Sequence, residues 1–354
     1  MAPHIYTPDT YTTPPKLDES KYAAVSWPLY LWMSVKVMFL APVLATEALL
    51  SPFVARSKQK SLKRVIGDTA FRYLTDNLSG AELQYFMGTS VGTYSSWARK
   101  ANLPIVIDEL EDGGKLLWIG PKRTEKVLLY CHGGAYIVPV QEFTIPFWRY
   151  IQLELEKQGI EVGIAIMSYS LIPVGQFPAP LWQASRAIQH LLTTENVKPS
   201  SLQLVGDSAG GNLVAQVLSS MLHPLFSPPI ILPGIRLRGA YMMSPCISEM
   251  TALDPKLERV SRSIVLASAQ TSSEVMYIEP IHAPSEWYCG LSDFVDRVFI
   301  STGGAECLQD HSCHMFFEDM IKLWHGQAEY FEIEGECHTL IFRWRMDHWG
   351  IDKH

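Results

Sequence analysis

Leu204-Val205-Gly206-Asp207-Ser208-Ala209-Gly210-Gly211-Asn212-Leu213 is the stretch that decides the fold. It sets Gly-x-Ser-x-Gly between an apolar run that predicts a strand and a run with helical periodicity, the context this motif requires. A strand that turns so abruptly into a helix forces Ser208 into a strained backbone conformation. Gly206 and Gly210 bring no side chains to collide in the turn. The Ser208 hydroxyl then stands at the carboxyl ends of the strands. The Ala209 amide, at the helix start, points toward an oxyanion formed there. A phosphate-binding loop is excluded, because neither a Gly-Lys-Ser/Thr ending nor Gly-x-Gly-x-x-Gly is present.

Working outward, short apolar runs alternate with helical stretches from about residue 105. Strands are predicted at 127–131, 162–168, 202–205, 239–243, 297–300 and 328–333, with helices at 180–194 and 211–221 among those between them. This predicts an α/β protein with a mostly parallel sheet flanked by helices. Residues 20–100 and about 250–290 break the alternation and are expected to be helical cap material. The expected organisation is a flexible N-terminus over 1–26, an apolar helix over 27–54, a helical cap or linker over 55–104, and a catalytic domain over 105–354 with a cap insertion near 250–290.

About 75 residues before Ser208 lies Cys131-His132-Gly133-Gly134-Ala135-Tyr136, directly after the first strong strand. Backbone amides at Gly133 and Gly134, with that of Ala209, are expected to form an oxyanion hole, and Ala135 is a further loop donor. His132 is read as a brace for this loop rather than as the base.

Composition agrees. The chain has 354 residues, 47% hydrophobic and 18% charged, with a net charge of −7. That supplies a large core and excludes both disorder and a nucleic-acid footprint over the chain as a whole. Six cysteines show no CxxC pair, and Asp310-His311-Ser312-Cys313-His314 matches no zinc spacing, so it is read as a loop entering a helix.

Residues 126–211, through His132-Gly133-Gly134 and Gly206-Asp207-Ser208-Ala209-Gly210-Gly211, resemble the hormone-sensitive-lipase-like α/β-hydrolases. Tyr169-Ser170-Leu171-Ile172-Pro173 followed by Phe177-Pro178-Ala179 is similar to the family's Tyr-Arg-Leu-Ala-Pro and Phe-Pro-Ala segment. Trp97-Ala98-Arg99-Lys100 through Gly120-Pro121-Lys122-Arg123, with the apolar N-terminus, resembles the fungal branch of steryl acetyl hydrolase-like proteins and secondary-metabolite esterases. Ala135 departs from the family's usual third glycine.

The resemblance implies an acid after the strand at 297–302. It places Glu306 there, with Asp310 as the alternative carboxylate; Glu in place of Asp is a second departure. In the chain order of this architecture the base follows the last strand, where His338 lies 32 residues after Glu306. The expected chemistry is hydrolysis of a lipophilic carboxylic ester through an acyl-enzyme, such as an acetylated sterol, terpenoid or polyketide. No metal or organic cofactor is required. Two rivals stand beside it: capture of the acyl-enzyme by an internal nucleophile to give a cyclised or transferred product, and a non-catalytic ligand-binding protein on the same scaffold.

Trp27 to Thr46 carries a single charge, Lys36, and as one helix would reach about 30 Å, the thickness of a bilayer core. Trp27, Tyr30 and Trp32 suit an interfacial belt. Arg56, Lys58, Lys60, Lys63 and Arg64 follow as a basic run. Lys36 near the middle costs roughly 2.5–3.5 kcal/mol on insertion scales, and Pro42 predicts a kink. Three readings stay open: a membrane anchor, spanning or lying on the surface, at a membrane such as the endoplasmic reticulum; an apolar lid over the cleft of a cytoplasmic enzyme; or an ordinary core helix.

Overall fold

The computed structural model describes residues 10–53, 62–247, 272–303 and 311–333. Among them, eight strands form one sheet: β1 (Ile107–Glu109), β2 (Lys115–Ile119), β3 (Val127–Cys131), β4 (Gly163–Ser168), β5 (Leu202–Asp207), β6 (Gly239–Met243), β7 (Val298–Gly303) and β8 (Ala328–Ile333). Their order is β1-β2-β4-β3-β5-β6-β7-β8. Strands β3 to β8 run parallel to one another, and β2 pairs antiparallel with β4 and with β1 at one edge.

Side-chain alternation makes the sheet's two faces apolar. On β3, Leu129 and Cys131 join one core cluster while Leu128 and Tyr130 join the other. Both faces need covering, and helices supply it. Those used below are α1 (Trp27–Met38), α2 (Leu40–Leu50), α3 (Leu62–Asn77), α4 (Gly80–Met87), α5 (Ser90–Lys100), α6 (Thr144–Lys157), α7 (Ala179–Thr193), α8 (Ala209–Leu222), α9 (Ser272–Ile278) and α10 (His311–Met315).

Strand order positions the site. After β3 the chain adds β4 on one side and then returns to add β5 on the other. Such a reversal opens a crevice outside the carboxyl ends of the strands flanking it. The loop 132–136 leaves the end of β3, and Ser208 leaves the end of β5.

Two expectations change. The edge hairpin β1–β2 was not among the predicted strands. The N-terminus is not loose over residues 10–22: Tyr11 N donates to Leu225 O, Ser227 N to Tyr11 O and Asp18 N to Val174 O. The Tyr11 hydroxyl also donates to Glu274 Oε1 at 2.6 Å, reaching from this strap to α9.

The apolar N-terminal helix is interrupted at Phe39. Pro42 accounts for the break. Its ring clashes with the carbonyl four residues back, that of Met38, and α2 starts afresh with Pro42 in its first turn, where a missing N–H is tolerated.

Candidate active site

Ser208 sits between β5 and α8 at φ 51°, ψ −119°, a conformation that non-glycine residues rarely adopt. The turn is tight enough to exclude side chains at its flanks. A Cβ on Gly206 would overlap the Gly210 carbonyl, and one on Gly210 would overlap the Cys131 carbonyl at the end of β3. The second contact presses the Ser208 turn against the start of the 132–136 loop. Ser208 N donates to Met243 O at the end of β6, holding the turn from its other side.

Asp207, buried between two strands, is the residue the sequence reading passed over. Its Oδ1 accepts the Tyr130 hydroxyl at 2.5 Å and the Gly133 amide at 2.7 Å. The Gly133 N–H therefore points into the protein at a carboxylate, which contradicts its expected place in an oxyanion hole. Among the described residues no hydrogen bond from the Gly134 or Ala135 amide is seen. A charge enclosed by two glycines and a serine in an apolar turn was the available signal, because a buried carboxylate requires donors.

Ala135 and Tyr136 both take positive φ, 55° and 58°. The loop is held there by buried hydrogen bonds. The Tyr169 hydroxyl donates to His132 O at 2.6 Å, and Ile172 N donates to Tyr136 O at 2.8 Å. The segment resembling the family's Tyr-Arg-Leu-Ala-Pro thus acts as the loop's outer support. The Tyr136 hydroxyl donates to Asn212 Oδ1 on α8 at 2.8 Å, and Asn212 Nδ2 donates to the carbonyls of Cys246 and Ile278. Gln84 on α4 donates to both Ile137 O and Ile172 O, at 2.8 and 2.7 Å.

His132 stacks on Tyr169, ring centroids 4.6 Å apart, and its Nδ1 lies 2.7 Å from Gly133 O. Burial holds its pKa down at about 4, so the ring is neutral near pH 7. A neutral ring packed behind the loop fits a brace. The same burial pushes the neighbouring Cys131 thiol up to about 12 and leaves it protonated.

Glu306, Asp310 and His338 lie outside the described residues. The sequence around Cys313 enters α10 as expected, with Cys313 buried and its Sγ 3.5 Å from Pro245 O. Away from the site, Asp108, His190 and Glu195 bring ligand atoms within 4.8 Å of one another. Lys122 Nζ lies 2.8 Å from Asp108 and 3.0 Å from Glu195, so an ammonium already occupies the place of a cation.

Comparison with known proteins agrees with this geometry. The model of the alpha/beta hydrolase fold family matches residues 128–342, more than half of the chain. A probable carboxylesterase 2 of Arabidopsis thaliana is 23% identical over 62% of this chain and 71% of its own. Neutral cholesterol ester hydrolase 1 of Bos taurus is 27% identical over 37% of this chain and 33% of its own. An esterase from the bacterial hormone-sensitive lipase family superposes with a TM-score of 0.57 at 21% identity, covering 82% of this chain and 93% of that one, a likeness of fold. By this match over more than half of its length, the chain belongs to the α/β-hydrolase fold family, in the hormone-sensitive-lipase-like group.

Proposed function

We propose that the protein is a carboxylesterase-type serine hydrolase that cleaves a lipophilic carboxylic ester through an acyl-enzyme. The observation that carries this reading is the conformation of Ser208, held at φ 51° at the turn between β5 and α8. Strain retained at one residue at the carboxyl end of a parallel sheet supports a nucleophile.

Ser208 Oγ attacks the ester carbonyl while His338 takes its proton; Glu306 orients the imidazole and balances the imidazolium. Their place in chain order supports these two roles. The tetrahedral oxyanion is held by the amides of Gly134, Ala135 and Ala209, because that of Gly133 is directed at Asp207. The carbonyl re-forms as the C–O bond of the alcohol breaks, and His338 returns the proton to the leaving oxygen. Water, deprotonated by His338, then releases the acid from Ser208.

A lipophilic substrate is supported by the apolar helices α1 and α2. Of these, α1 is held to α4 through Lys36–Glu82 and Tyr30–Tyr85, and Gln84 of α4 donates to carbonyls behind the oxyanion loop.

The test is a fluorophosphonate and an intact-mass measurement. A single adduct is expected on the wild type, none on Ser208→Ala, and slow labelling on His338→Ala. Absence of an adduct on folded wild-type protein would overturn the reading.

A further inference from the structure

Residues 27–50 form the one candidate membrane span among the described residues, yet only 6% of its most apolar window is buried. Trp27, Trp32, Met38, Phe39, Leu49 and Phe53 are exposed, from 60–81%. A run this apolar and this bare in water is unusual for a soluble surface. Length and composition alone do not decide whether it crosses a bilayer. Its contacts with the body do.

The midpoint of the run falls between Met38 and Phe39. Lys36 lies about 4 Å from that point along the axis, at a helical rise of 1.5 Å per residue. There it is fastened twice. Its Nζ pairs with Glu82 Oε1 at 3.0 Å, and its carbonyl accepts the Tyr73 hydroxyl at 2.8 Å. Glu82 is 1% exposed and belongs to α4, where it also closes the capping box with Ser79. Tyr73 belongs to α3, which carries Asp68, Arg72 and Asp76. If 27–50 crossed the membrane as docked, α3 and α4 would be drawn with it to the centre of the hydrocarbon, charges included. If it crossed undocked, the buried Glu82 would lose its cation, a heavy penalty. Neither is compatible with a span.

Around that contact, α1 offers the aromatic side chains an interface needs. Trp27 stacks on Tyr30 at 5.8 Å, Tyr30 meets Tyr85 of α4 edge-on, and Trp32 is 60% exposed. Such rings partition to the headgroup level. We infer that α1 and α2 lie in the plane of a lipid bilayer, docked on the enzyme through Lys36–Glu82, with the exposed apolar side chains dipping below the headgroups. The protein is then monotopic, and Gln84 ties this membrane-facing platform to the loop at 133–137. The inference concerns where the enzyme sits. It deepens the ester-hydrolase reading by naming a membrane as the source of substrate, but its test does not depend on that reading.

Full-length protein is mixed with phosphatidylcholine vesicles and floated, without substrate. Sealed vesicles from cells making the full chain are treated with added protease. The wild type is expected to float and to lose the residues before Trp27 together with the body. Trp32→Glu and Leu49→Glu, each at an exposed position, are expected to keep the wild-type melting curve and lose vesicle binding about tenfold or more. Folded wild-type protein that stays with the soluble fraction, as one copy or as a pair closed over this face, would overturn the inference. So would sealed vesicles that protect the residues before Trp27 from added protease while the body is cut, because a spanning helix separates the two and an in-plane helix leaves both on one side. Serine labelling is read without vesicles and floating without substrate, so each reading fails on its own evidence.

Discussion

Asp207 Oδ1 accepts the Gly133 amide at 2.7 Å, joining the residue before the nucleophile to the loop across the crevice, 74 positions away in the chain. The nucleophile turn and the oxyanion loop are therefore positioned by one carboxylate, which the Tyr130 hydroxyl also holds. Asp207→Asn keeps the Oδ1 acceptor but loses the charge that strengthens both bonds and replaces Oδ2 with a donor, whereas Asp207→Ala keeps no acceptor at all. Two buried donors left unpaired cost about 2–5 kcal/mol together. Asp207→Ala is expected to lower the urea midpoint accordingly. Asp207→Asn, folded, is expected to label with fluorophosphonate roughly 10–100-fold more slowly, since misplaced loop amides lose oxyanion stabilisation. Wild-type labelling by a folded Asp207→Ala would show that the loop is positioned without it.

Strain at Ser208 gives a prediction of opposite sign for stability and activity. Glycine takes φ 51° without the Cβ penalty, although it also loosens the unfolded chain. Ser208→Gly is expected to gain roughly 1 kcal/mol of net stability while losing esterase activity entirely. Calorimetry beside Ser208→Ala, which keeps the Cβ, checks it. Equal melting temperatures for the two variants would mean that the strain at Ser208 does not exceed the unfolded-chain cost of a glycine.

Gly210 tests the same turn by addition. Its missing Cβ is where the Cys131 carbonyl lies, and backbone cannot yield as a side chain end can. Gly210→Ala is expected to give little folded protein, or a folded form whose serine does not label. Ala135 tests the opposite loop. At φ 55° it is already in the left-handed region. Ala135→Gly is expected to leave the melting temperature level or slightly higher, and Ala135→Val to destabilise by about 2 kcal/mol, because a β-branched side chain fits that region worst.

His132 predicts part of the acid stability. Its folded pKa of about 4 is below the ordinary 6.5, so the unfolded chain takes up the proton first as pH falls. The stability is complete above about 6.5, falls by up to about a kilocalorie per mole per pH unit below it, and stops falling through this residue near 4. In His132→Gln the slope of unfolding free energy between pH 6.5 and 4.5 is expected to flatten relative to wild type. An unchanged slope would mean that the imidazole is not buried neutral.

Much of this architecture could be read in the sequence. Apolar runs marked β3 to β8, and the Gly-x-Ser-x-Gly motif marked the tight turn at Ser208, because both signals are local. The edge hairpin escaped although Asp112-Gly113-Gly114 before Lys115-Leu116-Leu117-Trp118-Ile119 is a turn followed by an apolar strand. The partner strand Ile107–Glu109 has only three residues and no alternation to detect. At the oxyanion loop, sequence showed which amides exist and not where they point. Gly133 and Gly134 look alike in the chain; the Asp207 carboxylate on a neighbouring strand distinguishes them. The N-terminal helix shows the same limit. Lys36 looked like an expensive charge in a span because its partner, Glu82, is 46 residues away and invisible to composition.

The N-terminal strap bears on how the protein can be handled. A natural remedy for poor solubility is to cut away the apolar first fifty-odd residues and keep the rest. Here that cut would remove the Tyr11 hydroxyl from Glu274, the Tyr22 hydroxyl from the Gly88 carbonyl, the Ala23 amide from Gln84 and the Lys36 ammonium from Glu82. Glu274 and Glu82 are 3% and 1% exposed, so each carboxylate would lose a donor where water does not readily replace it. The shortened chain would trade a greasy exterior for a charged interior. Detergents or lipid nanodiscs around the intact polypeptide are the gentler route to a soluble, working preparation.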